Sequence, residues 1–218
     1  MRTHLEPAQP GVTSSTQIVL LPAAYTGPED FLRAGFVNAA RDRGLAIDLA
    51  FVEFNLLHVT DRSLLRKLRH EVVLPARAMG CQSLWFCGIS LGGFIALAYA
   101  QRYPTEVDGL CLLAPYLGNR MITGEIERAG GVAAWQPGEL AQDDDERRIW
   151  NFIKTRPPGL HLGFGREDRF ADGHRMMAAT LPPESVDVLP GGHDWPVWRQ
   201  LWDNFLDLRL GSNRAAAP

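Results

Sequence analysis

The chain has 218 residues, 46% of them hydrophobic, and is long enough to bury the core of one ordinary domain. Its formal net charge is −3, with 22 lysines and arginines against 25 aspartates and glutamates, which argues against a nucleic-acid partner. No stretch approaches 18 consecutive apolar residues, so we predict no membrane span.

The N-terminal segment indicates a flexible terminus, and the cysteines indicate the cellular compartment of the protein. Residues 1–16 are polar, contain two prolines and lack the apolar stretch of a signal peptide. We predict a flexible tail there and another at 209–218. The cysteines are odd in number, and two lie in or beside apolar runs typical of buried strands. We therefore expect reduced core cysteines in a cytoplasmic protein, without a disulfide framework or a metal site.

Strands and helices alternate between these tails. Apolar runs bounded by turn residues predict six strands, at 17–21, 45–51, 83–87, 108–114, 160–165 and 185–189. Helical spacing of apolar residues predicts helices at 28–43, from Asp61 through Val73, at 91–102 and at 196–208. This alternation is typical of a mainly parallel six-stranded sheet covered on both faces, a three-layer α/β/α sandwich. We assign residues 17–208 to this single α/β domain, with ligands bound at the carboxyl ends of its strands.

Ser90 lies between glycines at the junction of a predicted strand and a predicted helix. The run Gly88-Ile89-Ser90-Leu91-Gly92 has the G-x-S-x-G pattern of a nucleophile elbow. Side chains at 88 and 92 would collide with neighbouring elements, and the helix N-terminus directs its free amides toward the serine oxygen. The pattern alone also fits an ordinary helix N-cap, so the rest of the chain has to decide.

Residues 115–158 form the one long insertion between predicted strands, about the size of a small helical cap over the active site. We predict helices in it at 119–128 and from the acidic run 143–146 through Ile153. The acidic run resembles a metal cluster only superficially, because carboxylates in a first helical turn complement the helix dipole and two arginines follow directly. We predict no metal site there.

Two polar residues follow other predicted strands at the same edge as Ser90. A serine hydroxyl needs a base to become a good nucleophile, and the base needs an orienting acid. His193 follows the strand at 185–189 behind two glycines, and Asp168 follows the strand at 160–165. We predict that the three side chains meet. The remaining histidines lack this position: His4, His58, His70, His161 and His174.

Four other carboxylates compete with Asp168 for the acid position. Asp187 lies within a predicted strand, too far before the turn to reach the histidine. Asp172 and Asp194 stand where helices begin, and we predict that both are N-caps. Glu167 remains the nearest alternative, although its side chain is longer.

With GISLGG at 88–93, GREDRF at 165–170 and PGGHDW at 190–195, the chain resembles the α/β-hydrolase superfamily over about residues 17–208. More narrowly, it resembles compact bacterial esterase-like hydrolases without a large lid. The resemblance implies that Ser90 is the nucleophile, Asp168 the acid and His193 the base. Only 16 residues precede the first predicted strand, so we expect the two antiparallel strands that often open this fold to be absent.

The resemblance also implies an oxyanion hole built from backbone amides. One donor is the amide of Leu91, which follows the nucleophile. The second comes from the loop after the first strand, where the aligned residue is Ala24. Tyr25 is an alternative, because this chain has Pro22-Ala23 where related enzymes commonly carry His-Gly.

Three aromatic residues are candidates for an apolar substrate pocket: Tyr25, Tyr116 and Trp135. Trp135 and Trp150 are equally compatible with the core of the cap itself.

The residues together predict a serine hydrolase that cleaves a small carboxylic ester or related acyl substrate through an acyl-enzyme, without a cofactor. The same triad serves C–C bond hydrolases, thioesterases and acyltransferases. A non-catalytic homologue that binds a small ligand is a further alternative, which the complete set of serine, acid and histidine disfavours.

Overall fold

The computed structural model describes residues 1–54, 63–141, 143–157 and 159–210. Seven strands within these ranges form one sheet: β1 (Arg2–Glu6), β2 (Thr16–Leu21), β3 (Asp48–Glu53), β4 (Ser83–Ile89), β5 (Gly109–Leu113), β6 (Leu160–Gly165) and β7 (Val186–Leu189). Their order is β1-β3-β2-β4-β5-β6-β7. β1 runs antiparallel to β3, and every other neighbouring pair is parallel.

The helices occupy the connections between these strands. They are α1 (Pro28–Arg33), α2 (Phe36–Asp42), α3 (Leu64–Leu68), α4 (Leu74–Ala78), α5 (Leu91–Arg102), α6 (Arg120–Arg128), α7 (Asp145–Lys154), α8 (Ala171–Ala178) and α9 (Trp195–Phe205). A π-helical turn at Arg69–Val73 joins α3 to α4, and another at Leu206–Leu210 extends α9. A 3₁₀ turn at Pro183–Ser185 precedes β7.

Successive residues of β4 show that helices cover both faces of the sheet. The Trp85 ring packs against Phe205 of α9, with ring centroids 5.5 Å apart. The next residue, Phe86, packs against Tyr99 of α5 at 4.9 Å. Because neighbouring side chains of a strand point to opposite faces, α5 and α9 lie on opposite sides of the sheet. The α/β/α architecture is confirmed.

The N-terminal segment differs from its prediction, because residues 2–6 form β1 and are not a loose tail. The sheet therefore has seven strands instead of six, and one antiparallel strand does flank it. Backbone pairing with the edge of β3 holds β1, while Asp48 accepts hydrogen bonds from the amides of Ala8 and Ser14. The side chains of β1 are mostly exposed, so its sequence lacks the apolar alternation that would have indicated a strand.

The helix predicted at 28–43 is two helices, because Gly35 takes a left-handed conformation with φ 78° between α1 and α2. The predicted helix start at Asp61 lies outside the described residues. Of the predicted C-terminal tail, residues 209 and 210 belong to the π-helical turn after α9, and 211–218 lie outside the described residues.

The insertion contains both expected helices, α6 and α7, and its acidic run stabilises α7. Asp144 caps this helix by accepting from the amide of Arg147, and it also pairs with the Arg147 guanidinium at 2.7 Å. Glu146 accepts hydrogen bonds from the Tyr116 hydroxyl and the Asn119 side chain. These carboxylates therefore hold the insertion together.

No helix among the described residues is long and apolar enough to cross a membrane. The three cysteines are free thiols and all are buried.

His161 in β6 is a buried polar residue whose two ring nitrogens have no hydrogen-bond partner among the described residues. Burial, with a smaller contribution from the charge of Arg209, lowers its pKa from 6.5 to about 4. A folded-state pKa below the unfolded value means that the neutral imidazole's stability is fully present above pH 6.5. That stability is lost as the pH falls toward 4.

We therefore expect His161→Leu to make stability less dependent on pH. Urea unfolding between pH 7.5 and pH 4 should show the wild-type free energy of unfolding falling by up to about 3 kcal/mol more than that of the variant. At pH 7.5 the variant should be at least as stable, because it buries no unpaired nitrogen. Identical pH dependence in both proteins would contradict this account.

Candidate active site

Ser90 stands at the turn between β4 and α5 with φ 51° and ψ −111°, a strained conformation for a residue other than glycine. The flanking glycines make the turn possible. A Cβ atom on Gly88 would overlap the Gly92 carbonyl, and one on Gly92 would overlap the Leu21 carbonyl at the end of β2. The predicted elbow geometry is therefore present, with the serine held at the carboxyl edge of the sheet.

Ser90, His193 and Asp168 form a hydrogen-bonded row. The Ser90 Oγ lies 2.9 Å from His193 Nε2, and His193 Nδ1 lies 2.7 Å from Asp168 Oδ2. In the tautomer with its proton on Nδ1, the imidazole donates to the carboxylate and accepts from the hydroxyl. The structure thus brings together the three side chains that the sequence placed after separate strands.

The loop after β6 shapes the environment of Asp168. The carboxylate is buried, which by itself would raise its pKa. Hydrogen bonds from His193 and from the backbone amide of Phe170 outweigh burial and hold the pKa of Asp168 below its ordinary value. The group therefore stays ionised at neutral pH and is able to stabilise a positive charge on the imidazole.

The competing carboxylates all have other partners. Asp194 caps α9 through the amide of Val197, as predicted. Asp187 accepts from Asn204. Asp172 is not the N-cap expected from sequence, because it is the second residue of α8 and Phe170 is the N-cap. The Asp172 side chain pairs with Arg175. Glu167 accepts from the Gly191 amide at 2.5 Å, so it ties the acid loop to the histidine loop.

We expect Asp168→Asn to lower kcat/KM at least a hundredfold, because the amide no longer selects the imidazole tautomer that accepts from the serine. Asp194→Asn is the matched control and should stay within tenfold of wild type, since asparagine also caps helices. Ester hydrolysis by the purified variants measures both. A large loss in the Asp194 variant with a near-wild-type Asp168 variant would move the acid role away from Asp168.

Two aromatic rings flank the imidazole, and sequence reasoning did not anticipate either. Phe170 and Trp198 each stand edge-on to the His193 ring, with centroid distances of 5.2 and 5.0 Å. They restrict the ring to the plane that faces Ser90. Phe170 follows Asp168 by two residues, and this closeness in sequence could have indicated that Phe170 lies near the site.

The expected oxyanion-hole segments lie beside the elbow. Leu91 is the first residue of α5, so its amide has no acceptor within the helix. The loop after β2 turns sharply, with Ala23 accepting from the amide and the hydroxyl of Thr26 and with Tyr25 at φ 62°. Whether Ala24 or Tyr25 provides the second amide stays a prediction.

The three pocket candidates have different positions. Tyr25 is 93% exposed. The backbone amide of Tyr116 donates to the Ser90 carbonyl, and burial together with Glu146 raises the pKa of the Tyr116 hydroxyl to about 12.

The assignment of Trp135 to the pocket is corrected. Trp135 is 1% exposed and donates to Glu125 inside the insertion, so it belongs to the cap's core. Trp150 lies in the same core and donates to the Leu117 carbonyl. Both tryptophan rings are buried within the insertion, because a short insertion needs large apolar side chains to form a core.

Comparisons with known proteins agree with this architecture. A family model described as serine aminopeptidase, S33, matches residues 70–143. No curated protein matches the sequence. Among solved structures, Est1E from Butyrivibrio proteoclasticus superposes with a TM-score of 0.65 at 15% identity, covering 98% of this chain and 94% of that one.

Two further structures are similar. A substrate-bound structure of the fluorophosphonate-binding serine hydrolase F of Staphylococcus aureus has a TM-score of 0.62 at 13% identity, covering 92% of this chain and 84% of that chain. A monoacylglycerol lipase of Paleococcus ferrophilus has a TM-score of 0.55 at 13% identity, covering 97% and 99%. At these identities the likeness establishes a shared fold.

Proposed function

We propose that this chain, which shares its fold with α/β-hydrolase structures, is a serine hydrolase of that superfamily and cleaves a small carboxylic ester. The observation that carries this proposal is the row Ser90–His193–Asp168 at a strained elbow. The buried hydrogen bonds of this row and the strained backbone at Ser90 both suit nucleophilic catalysis.

In the first step, the Ser90 oxygen attacks the ester carbonyl while His193 Nε2 takes the hydroxyl proton. Asp168 holds the Nδ1 proton and stabilises the imidazolium that forms. The carbonyl oxygen becomes an oxyanion, which we assign to the amides of Leu91 and Ala24. One such donor is worth about 3 kcal/mol in the transition state.

Collapse of the tetrahedral intermediate breaks the bond to the alcohol, which leaves with the proton from His193. Water then attacks the acyl-enzyme with His193 again acting as base, and the carboxylic acid is released as Ser90 recovers its proton. The chain's own groups supply every proton transfer in this sequence, so the proposal invokes no cofactor.

The names of the similar structures support an acyl hydrolase, and an esterase is among them. One similar structure is named as a monoacylglycerol lipase and another as a fluorophosphonate-binding serine hydrolase. A fluorophosphonate traps a serine that a neighbouring base activates, which is the arrangement at Ser90.

The test begins with labelling by a fluorophosphonate, followed by peptide mass spectrometry. We expect a single adduct at Ser90. Turnover is then measured on 4-nitrophenyl esters, acyl-CoA thioesters and β-diketones. Fastest turnover of the esters supports the proposal, whereas a clear preference for thioesters or β-diketones would replace it with thioesterase or C–C bond hydrolase activity. Absence of both labelling and turnover would indicate a non-catalytic ligand-binding protein.

A further inference from the structure

A cleft of about 740 Å³ lies between the insertion and the acid loop, which is the size of a small-molecule site. α6 forms one side and residues 169–176 form the other. Tyr116 and Phe170 also line the cleft, and their rings meet edge-on at 5.7 Å. We call this space the arginine cleft, after the three arginines that line it: Arg120, Arg169 and Arg175.

Two residues that line the arginine cleft, Tyr116 and Phe170, also contact the active site. Phe170 packs edge-on against the His193 ring, and its amide donates to Asp168. The Tyr116 amide donates to the carbonyl of Ser90. Phe170 and Tyr116 therefore border both the cleft and the catalytic row, so the cleft adjoins the active site.

Three arginines and two carboxylates line the cleft, which therefore has a positive charge in excess. Arg175 pairs with Asp172 at 2.6 Å. Among the ion pairs of the described residues, none involves Arg120 or Arg169. The Arg169 guanidinium lies over the Phe170 ring, 4.8 Å from its centroid. The remaining lining carboxylate, Glu127, is seven residues beyond Arg120 on α6, about 10 Å along the helix axis.

Two residues of α6, Arg120 and Gly124, are unfavourable for helix stability. Arg120 is the first residue of α6, where a positive charge opposes the helix dipole. Gly124 lies within the same helix and lines the cleft, although a Cβ atom there would have no other protein atom within 4 Å. Alanine would favour the helix, whereas glycine leaves this part of the cleft wall without a side chain. Such departures from local preference are expected at functional sites.

We propose that the arginine cleft binds an anionic group of the substrate, with Arg120 and Arg169 as specificity-determining residues. The substrate class is then an ester that carries a carboxylate or a similar oxyanion on one side of the scissile bond. A guanidinium suits this ligand because its planar N–H groups pair with two oxygens at once. This inference rests on the proposed function for its catalytic readout.

The experiment compares free acids with their methyl esters in two arms. The acyl-side arm uses 4-nitrophenyl monoadipate, and the alcohol-side arm uses the butyryl ester of 6-hydroxyhexanoate. We expect the free acid to have at least about a tenfold higher kcat/KM than its methyl ester in one arm, as charge-assisted hydrogen bonds of this kind provide. The arm that shows the preference identifies which side of the ester carries the anion.

Substitutions then locate the preference. Arg120→Gln with Arg169→Gln should bring the acid-to-ester ratio close to one, and Gly124→Leu should raise KM for the free acid by occupying the cleft. Arg166→Gln is the matched control, since Arg166 is an exposed arginine of the same loop outside the cleft, and it should keep the wild-type ratio. A ratio near one in both arms of the wild type would overturn the proposal, as would a ratio that the double variant leaves unchanged.

Calorimetric titration with adipate and adipamide separates this inference from the proposed function. Adipate binding that exceeds adipamide binding, and that the double variant loses, supports the anion site even if neither labelling nor turnover is found. Equal binding of the two compounds, or binding that the double variant retains, overturns the anion site even if Ser90 is an active nucleophile.

Discussion

Ser90→Ala should abolish ester hydrolysis, with a loss in kcat of about 10⁶-fold. The reason is that no other side chain in the hydrogen-bonded row supplies a nucleophilic oxygen opposite His193 Nε2. Steady-state rates on a short-chain 4-nitrophenyl ester measure the loss, and intact mass spectrometry should show no fluorophosphonate adduct. Ser185→Ala is the matched control, because Ser185 is a buried serine whose partner is Arg209, and it should retain activity.

A second variant at the same position separates chemistry from folding. Ser90→Gly removes the side chain from a backbone with φ 51°, where glycine is not strained. We expect an inactive protein that is more stable than wild type by about 1 kcal/mol in urea unfolding. Activity within tenfold of wild type in either variant would refute the nucleophile assignment. An inactive but destabilised Ser90→Gly would refute the account of strain.

His193→Ala should lower the rate by about 10⁴-fold or more, because it removes the proton acceptor for Ser90 and the donor for the leaving alcohol. Fluorophosphonate labelling at Ser90 should slow with it. His161→Leu serves as a control, since His161 is buried in β6 and packs against Phe205, and it should label at the wild-type rate.

Double substitution gives a sharper test of the same residue. If Ser90 and His193 act as one unit, the Ser90→Ala/His193→Ala protein should be no slower than Ser90→Ala alone. Additive losses would mean that His193 contributes through stability or binding and not as the base. Near-normal labelling of the His193→Ala protein would have the same meaning.

The pairing of the site residues could be predicted because each follows a strand that is readable in the sequence. The apolar runs before Ser90 and Asp168 are continuous, and the glycines before His193 end the last strand. Parallel strands bring their carboxyl ends to one edge, so positions far apart in the chain were expected to meet there. The distances of 2.9 and 2.7 Å agree with that expectation.

What the sequence did not indicate depends on contacts between segments that have no local pattern. The apolar ring of Trp135 suits a substrate pocket and a cap core equally well. Only the packing of the insertion placed it in the core beside Glu125. Phe170 and Trp198 reach His193 from different elements, which periodicity along one element does not encode.

The sequence by itself determined the α/β alternation, the elbow and the three residues that meet in the candidate site, because strands, tight turns and strand ends are local features with strong residue preferences. Only the tertiary structure decided the role of β1, since an edge strand with exposed side chains is held by backbone pairing to β3. It alone also brought Arg120 and Arg169 to one cleft from segments about fifty residues apart, because charged surface residues carry no signal of their spatial neighbours.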